Sequence, residues 1–93
     1  MEERHIIHDK ENQEFILPLE NGLEAKVIYS VQGKTMRLTY SEVPTELRGK
    51  GIGKELVEKT FQQLTDEGYE ATAICSYISL IARRSPKWSQ IIN

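Results

Sequence analysis

The sequence predicts a single mixed α/β (α+β) domain, residues 1–93, in which antiparallel strands come first and a helix, a parallel strand and a short second helix follow. Three observations predict it. Runs rich in β-branched and aromatic residues, separated by turn residues, fill positions 5–43. At Ile52 the apolar repeat changes from alternation to a helical one. A chain of 93 residues has material for one core only.

The first strand is expected at His5-Ile6-Ile7-His8-Asp9 and the second at Glu14-Phe15-Ile16-Leu17-Pro18, with Lys10-Glu11-Asn12-Gln13 as the turn between them. Asn21-Gly22 favours positive φ and therefore a second tight reversal. Ala25 to Val31 reads as the third strand, Gln32-Gly33-Lys34 as its turn, and Thr35 to Val43 as the fourth. In the fourth strand Met36, Leu38 and Tyr40 are expected inside, with Arg37, Thr39 and Ser41 in solvent. Pro44 ends that strand by removing a backbone donor. Beyond the loop Thr45 to Gly51, Ile52, Leu56, Val57, Thr60, Phe61 and Leu64 form one face of an amphipathic helix. Gly68 is placed to cap it, and Glu55 with Lys59 makes an i,i+4 pair. Glu70 to Cys75 reads as a fifth strand, parallel to the fourth across the helical crossover. Tyr77 to Arg84 reads as the second helix, stopped by Pro86, and Trp88 as the anchor of the tail.

Composition narrows the function. At 39% hydrophobic and 28% charged, with no long apolar run and a start lacking the basic-then-apolar order of a signal peptide, the chain is expected to be a cytoplasmic protein that avoids membranes. One cysteine makes no internal disulfide. The net charge of −2 hides an asymmetry: residues 1–24 carry −5 and residues 25–93 carry +3. The basic excess is too small and dispersed for a duplex binder, and the strands lack paired aromatics for stacking RNA bases, so the expected ligand is a small anion rather than nucleic acid. His, Cys, Asp and Glu show no metal-ligand spacing, and no metal is expected.

Arg48-Gly49-Lys50-Gly51-Ile52-Gly53-Lys54 is the most specific stretch. It is not a dinucleotide fingerprint, which would need glycine where Lys54 stands, nor a Walker A loop, which would need Ser or Thr at Glu55. Gly33-Lys34-Thr35 ends like a Walker A loop, but Ile28 occupies the place of its first glycine. Arg48, Lys50 and Lys54 crowd a helix N-terminus against the macrodipole. An anion compensates that arrangement, and the glycines let backbone amides reach a bulky phosphate.

Arg48-x-x-Gly51-x-Gly53, after a strand ending Glu42-Val43-Pro44 and opening a long helix, resembles the acetyl-coenzyme A signature of the GNAT N-acetyltransferase superfamily. With Ala73-Ile74-Cys75-Ser76-Tyr77 and Arg83-Arg84-Ser85-Pro86, residues 36–88 are similar to its minimal GNAT-like (YjdJ-type) branch. The resemblance implies a truncated GNAT-like fold. It also implies acetyl-CoA as co-substrate, its pyrophosphate on the amides from Arg48 through Gly49, Lys50, Gly51, Ile52 and Gly53 to Lys54, and its pantetheine laid along Val43 like an added strand. Arg83 and Arg84 either meet the 3′-phosphate or adenine or complement a helix dipole. A full-length domain of the superfamily is longer, so an open acceptor site is expected, completed by a protein side chain or a second subunit, in a monomer or weak homodimer.

Three residues are candidates for the transfer of acetyl to an amine acceptor. Cys75, at the end of the fifth strand, either accepts acetyl as a nucleophile or packs as a small residue. Glu42 either deprotonates the amine or is a solvated strand-end carboxylate, and Tyr77 either protonates the leaving thiolate or packs with its hydroxyl at the surface. His5 and His8 are expected on the surface of an edge strand. Two other roles stay open at this level: a coenzyme A or acyl-CoA binding module without turnover, and a small adaptor whose basic loop meets an acidic partner.

Overall fold

Five strands, β1 (Ile7–Asp9), β2 (Glu14–Pro18), β3 (Glu24–Gln32), β4 (Thr35–Glu42) and β5 (Glu70–Ala73), form one sheet in the order β1-β2-β3-β4-β5 in the computed structural model, which describes residues 4–93. The β1 to β4 pairs are antiparallel, and β5 joins β4 in parallel. The crossover is helix α1 (Ile52–Asp66), and helix α2 (Ser76–Arg84) follows β5. The mixed architecture and the strand order expected from sequence are present. A further parallel bridge joins Ala71 to Ile92, with the Asn93 N–H on Ala71 O at 3.0 Å and the Ala73 N–H on Asn93 O at 2.8 Å.

One face of the sheet carries the core. Phe15, Leu17, Ala25, Val27, Tyr29, Met36, Leu38 and Ala71 are buried there against Leu56, Val57, Phe61 and Leu64 of α1 and Ile78 and Ala82 of α2. Ile7, Ile28 and Tyr40 stay exposed on the strands. Trp88 is buried with its ring centroid 5.4 Å from that of Phe61, which fixes the tail on α1. Helix α1 ends in a Schellman arrangement: Gly68 at φ +87° donates to Thr65 O and Tyr69 donates to Leu64 O.

The fourth strand departs from simple alternation. Ile28 pairs with Tyr40 and Tyr29 with Leu38, so Thr39 is an extra residue, a β-bulge in β4. Every side chain after it changes face. Tyr40, expected inside, is exposed, whereas Ser41, expected in solvent, turns inward and is partly buried.

Other boundaries differ from the sequence expectation, β3 running one residue further at each end and β4 stopping at Glu42 rather than Val43. Strand β1 begins at Ile7, leaving His5 and Ile6 outside it. Strand β5 stops at Ala73, because the N–H groups of Ile74 and Cys75 both turn to the Leu38 carbonyl, at 2.9 and 3.0 Å. Cys75 therefore stands at the N-cap of α2 rather than in the strand, and α2 begins at Ser76. His8 is not a surface residue: its side chain is 6% exposed, stacked on Phe15 and bonded through Nδ1 to Glu67 Oε1 at 2.8 Å and through Nε2 to the Tyr29 hydroxyl at 2.5 Å. These bonds tie the first hairpin to the C-terminal end of α1.

Candidate functional site

Beyond Leu38, β4 and β5 part company. Parallel pairing ends at Leu38 with Ala73, while β4 runs on to Glu42. Among the described residues, the β4 edge from Thr39 onward thus has no strand beside it on the β5 side. Unpaired strand edges present N–H and C=O groups to whatever extended chain arrives.

The segment after β4 closes the opening. A 3-10 turn, Thr45–Leu47, buries Leu47 at 6% exposure and returns the chain, with the Arg48 N–H on Thr45 O at 3.3 Å. Gly49 and Gly51 follow at φ +83° and +77°, left-handed conformations that side-chain-bearing residues rarely adopt. Open space surrounds the position of a Cβ at both. Their role is conformational: they turn the chain into α1. Gly53 serves differently, for a Cβ there would lie 2.7 Å from the Tyr77 hydroxyl oxygen. The absent side chain lets α2 bring Tyr77 against the first turn of α1.

Gly51 is the N-cap of α1, and among the described residues no side chain caps the helix there. With glycine at the N-cap the missing side-chain cap costs only about a few tenths of a kcal/mol, and each cation at a helix N-terminus costs about 0.3–1 kcal/mol more. Burying side chains such as Leu56, Val57 and Phe61 contributes roughly 1.5–3 kcal/mol each. The apolar face of α1 thus holds the helix together although, among the described residues, no side chain caps its first turn. Arg48, Lys50 and Lys54 are exposed and form no ion pair among the described residues. Glu55, the acid of the first turn, is bound to Lys59 at 3.1 Å and Arg4 at 3.6 Å.

A cavity of about 530 Å³ lies between the β4 edge, this loop and α2. Glu42, Val43, Arg48, Gly49, Gly51, Ile52, Gly53 and Tyr77 from the sequence-based set all line it, with Ser41, Leu47 and Leu56. Lys50 does not. Lys54 and Arg84 border a neighbouring cavity of about 290 Å³, and Arg83 borders neither. His5 is remote, on a small depression with Lys59 and Gln62. The Glu42 carboxylate is exposed and accepts from the Tyr40 hydroxyl at 3.4 Å.

Cys75, of the sequence-based set, does not line the cavity; its Sγ lies 3.5 Å from the Oγ of Ser41, which does. Burial pushes the thiol up, but the Ile78 N–H, the Ser41 hydroxyl and the Tyr77 N–H outweigh it and hold the thiol below its ordinary value. A cysteine at a helix N-terminus is favoured as thiolate by those amides. Ser41 is the site residue that sequence patterning assigns to the wrong face; the bulge at Thr39 brings it here. Among the described residues no group of three or more His, Cys, Asp or Glu is placed to hold a metal ion.

Comparison with known proteins bears on the family and the fold. A family model described as GCN5-related N-acetyl-transferase matches residues 14–91, reaching further toward the N-terminus than the motif-based resemblance. Protein NATD1 of Xenopus tropicalis is 33% identical over 84 residues, covering 87% of this chain and 76% of that protein. Its human counterpart is 32% identical over 84 residues, covering 87% and 74%. A solution structure of a GCN5-like protein from Staphylococcus aureus superposes with a TM-score of 0.70 at 20% identity, covering 100% of this chain and 91% of that one, and it shares the fold.

Proposed function

The chain belongs to the GCN5-related N-acetyltransferase family, and from that premise we propose that it binds acetyl-CoA in the cavity between β4 and the start of α1 and passes the acetyl group to an amine by way of Cys75. One observation carries this reading: the β4 edge and the uncapped helix N-terminus with Arg48 line one cavity, and the Cys75 thiol lies 3.5 Å from the hydroxyl of Ser41 in its wall. Each fits a different part of the molecule. The amides from Arg48 to Gly53 suit the pyrophosphate, where the N-terminal dipole and Arg48 supply positive field. The open backbone of β4 through Val43 suits the amides of pantetheine.

The chemistry asked of the chain is modest. The Cys75 thiolate attacks the thioester carbonyl, forming a new carbon–sulfur bond and expelling the thiolate of coenzyme A; Tyr77 supplies a proton to that leaving sulfur. A neutral amine then attacks the acetyl on Cys75, the carbon–sulfur bond breaks, and the amine proton passes through water to Glu42 at the rim. The Cys75 thiolate is regenerated, and the proton on Glu42 returns through water to the Tyr77 phenolate, which closes the cycle. Incubation with acetyl-CoA should add one acetyl group, mapped to Cys75 by peptide mass spectrometry and absent from Cys75→Ala, while Cys75→Ala still binds coenzyme A. Binding without any acetyl on Cys75, and with no transfer to peptide or polyamine amines, reduces the protein to a coenzyme A binding module.

A further inference from the structure

Helices α1 and α2 both pack on one face of the sheet, and among the described residues no helix covers the other. Cross-strand partners share a face, so the register gives what the bare side presents. One row across it runs Ile7, Ile16, Lys26, Glu42, from β1 to β4. The next runs Asp9, Glu14, Ile28, Tyr40. Ile7 stands opposite Ile16, Ile16 is diagonal to Ile28, and Ile28 stands opposite Tyr40, so an apolar stripe crosses four strands. Ile7, Ile28 and Tyr40 are 50%, 37% and 49% exposed. Scattered apolar groups at a surface are ordinary, whereas a continuous stripe with polar flanks marks a docking surface.

The charges on that face say what docks. Lys26 Nζ lies 3.8 Å from Glu14 and 3.9 Å from Glu24, and Glu42 is its cross-strand partner, so one ammonium stands among three carboxylates. Asp9 at one margin is bound by Asn12, and Arg37 lies further along β4 opposite Ser30. The excess of acid opposes a second copy of the same face and complements a basic segment with apolar side chains between its cations. Glu42 also lines the main cavity, so the face runs on into the site. We propose that the bare face docks a basic, extended segment of a partner protein and that one lysine of this segment passes Glu42 into the cavity as the acetyl acceptor. The acceptor role rests on the acetyl-CoA reading of that cavity. Glu14 stands two strands across and one row along from Glu42, roughly 12 Å, a span that about three or four residues of extended chain cover. The segment therefore carries a second cation at about that separation from its acceptor lysine.

Two short dye-labelled peptides test it by fluorescence anisotropy and as acetyl acceptors: one with a central lysine, apolar neighbours and an arginine at that separation, the other with glutamine for the arginine. The wild type should bind the arginine peptide roughly fivefold more tightly, with the gap narrowing as salt rises, and should prefer it in kcat/KM. The double variant Glu14→Gln/Glu24→Gln should bring the affinity ratio toward one while coenzyme A binding and acetylation of Cys75 stay unchanged. Glu58→Gln, on the helix side of the sheet, should leave the ratio intact. Equal affinity for the two peptides, an undiminished ratio in the double variant, or spermidine acetylated as well as the arginine peptide overturns the docking surface and leaves the acetyl-CoA reading standing. A homodimer that Ile28→Glu dissociates in sedimentation overturns it too, since the face is then taken by a second copy. Peptides distinguished by a protein that binds no coenzyme A would support the docking surface and overturn both the acetyl-CoA reading and the acceptor role.

Discussion

At the scale of the residue, the difference between a buried cysteine and a reactive one lies in what surrounds the sulfur. Cys75 is stationed where the β4 and β5 strands part, with helix amides and the Ser41 hydroxyl aimed at it. The lowering of its thiol is a geometric result: it depends on α2 starting at Ser76 and on Ser41 facing inward. Removing the hydroxyl should therefore matter to the thiol and little to the fold. In Ser41→Ala, the pH midpoint for alkylation of Cys75 by iodoacetamide should move upward from the wild-type value, with the unfolding transition nearly unchanged. An identical midpoint in both proteins would show that Ser41 does not tune the sulfur. The glycines of the loop divide in the same local way, Gly49 and Gly51 serving backbone conformation and Gly53 the approach of Tyr77.

At the scale of the element, helix α1 has two ends with opposite treatments. Its N-terminus is uncapped and ringed by cations, while its C-terminus is closed by Gly68 and bound to the first hairpin through Glu67 and His8. Burial pushes the Glu67 carboxyl up, but bonds from Gln63 and His8 and the charge of Lys10 bring it below the ordinary glutamate value. A carboxyl lowered on folding adds stability above its unfolded pKa and loses it as pH falls through the folded one. Glu67→Gln should cost about 1 kcal/mol at neutral pH, and the gap from wild type should close under acid, below the ordinary carboxylate range. Denaturant titrations across pH check this, and a gap independent of pH would contradict it. The apolar face of α1 was legible from its repeat, since Ile52, Leu56, Val57, Thr60, Phe61 and Leu64 are all buried. The buried role of His8 was not, because its partners Glu67 and Tyr29 lie 59 and 21 residues away. The bulge at Thr39 was equally hidden: alternation in sequence continues through Tyr40, and only pairing with β3 adds the extra residue. A small lag in register thus decided which face Ser41 would take.

At the scale of the molecule, the sheet, the crossover and the glycine loop place one cavity where the strands diverge, and the sequence motif alone located most of its wall. What spacing could not supply was the division of the basic residues, since Lys50, Arg83 and Arg84 look alike in sequence and only the packing of α2 on α1 separates them. Under the proposed function this arrangement is the acetyl-CoA half of an acetyl transfer site. The most direct measurement is a titration of the labelled protein with coenzyme A followed by amide NMR. Saturable shifts concentrated at residues 39–43, 48–54 and 75–77 are predicted, with the edge strand β1 at the far end of α1 undisturbed. Absence of saturable binding, or shifts centred on β1 and β2 instead, would contradict the account.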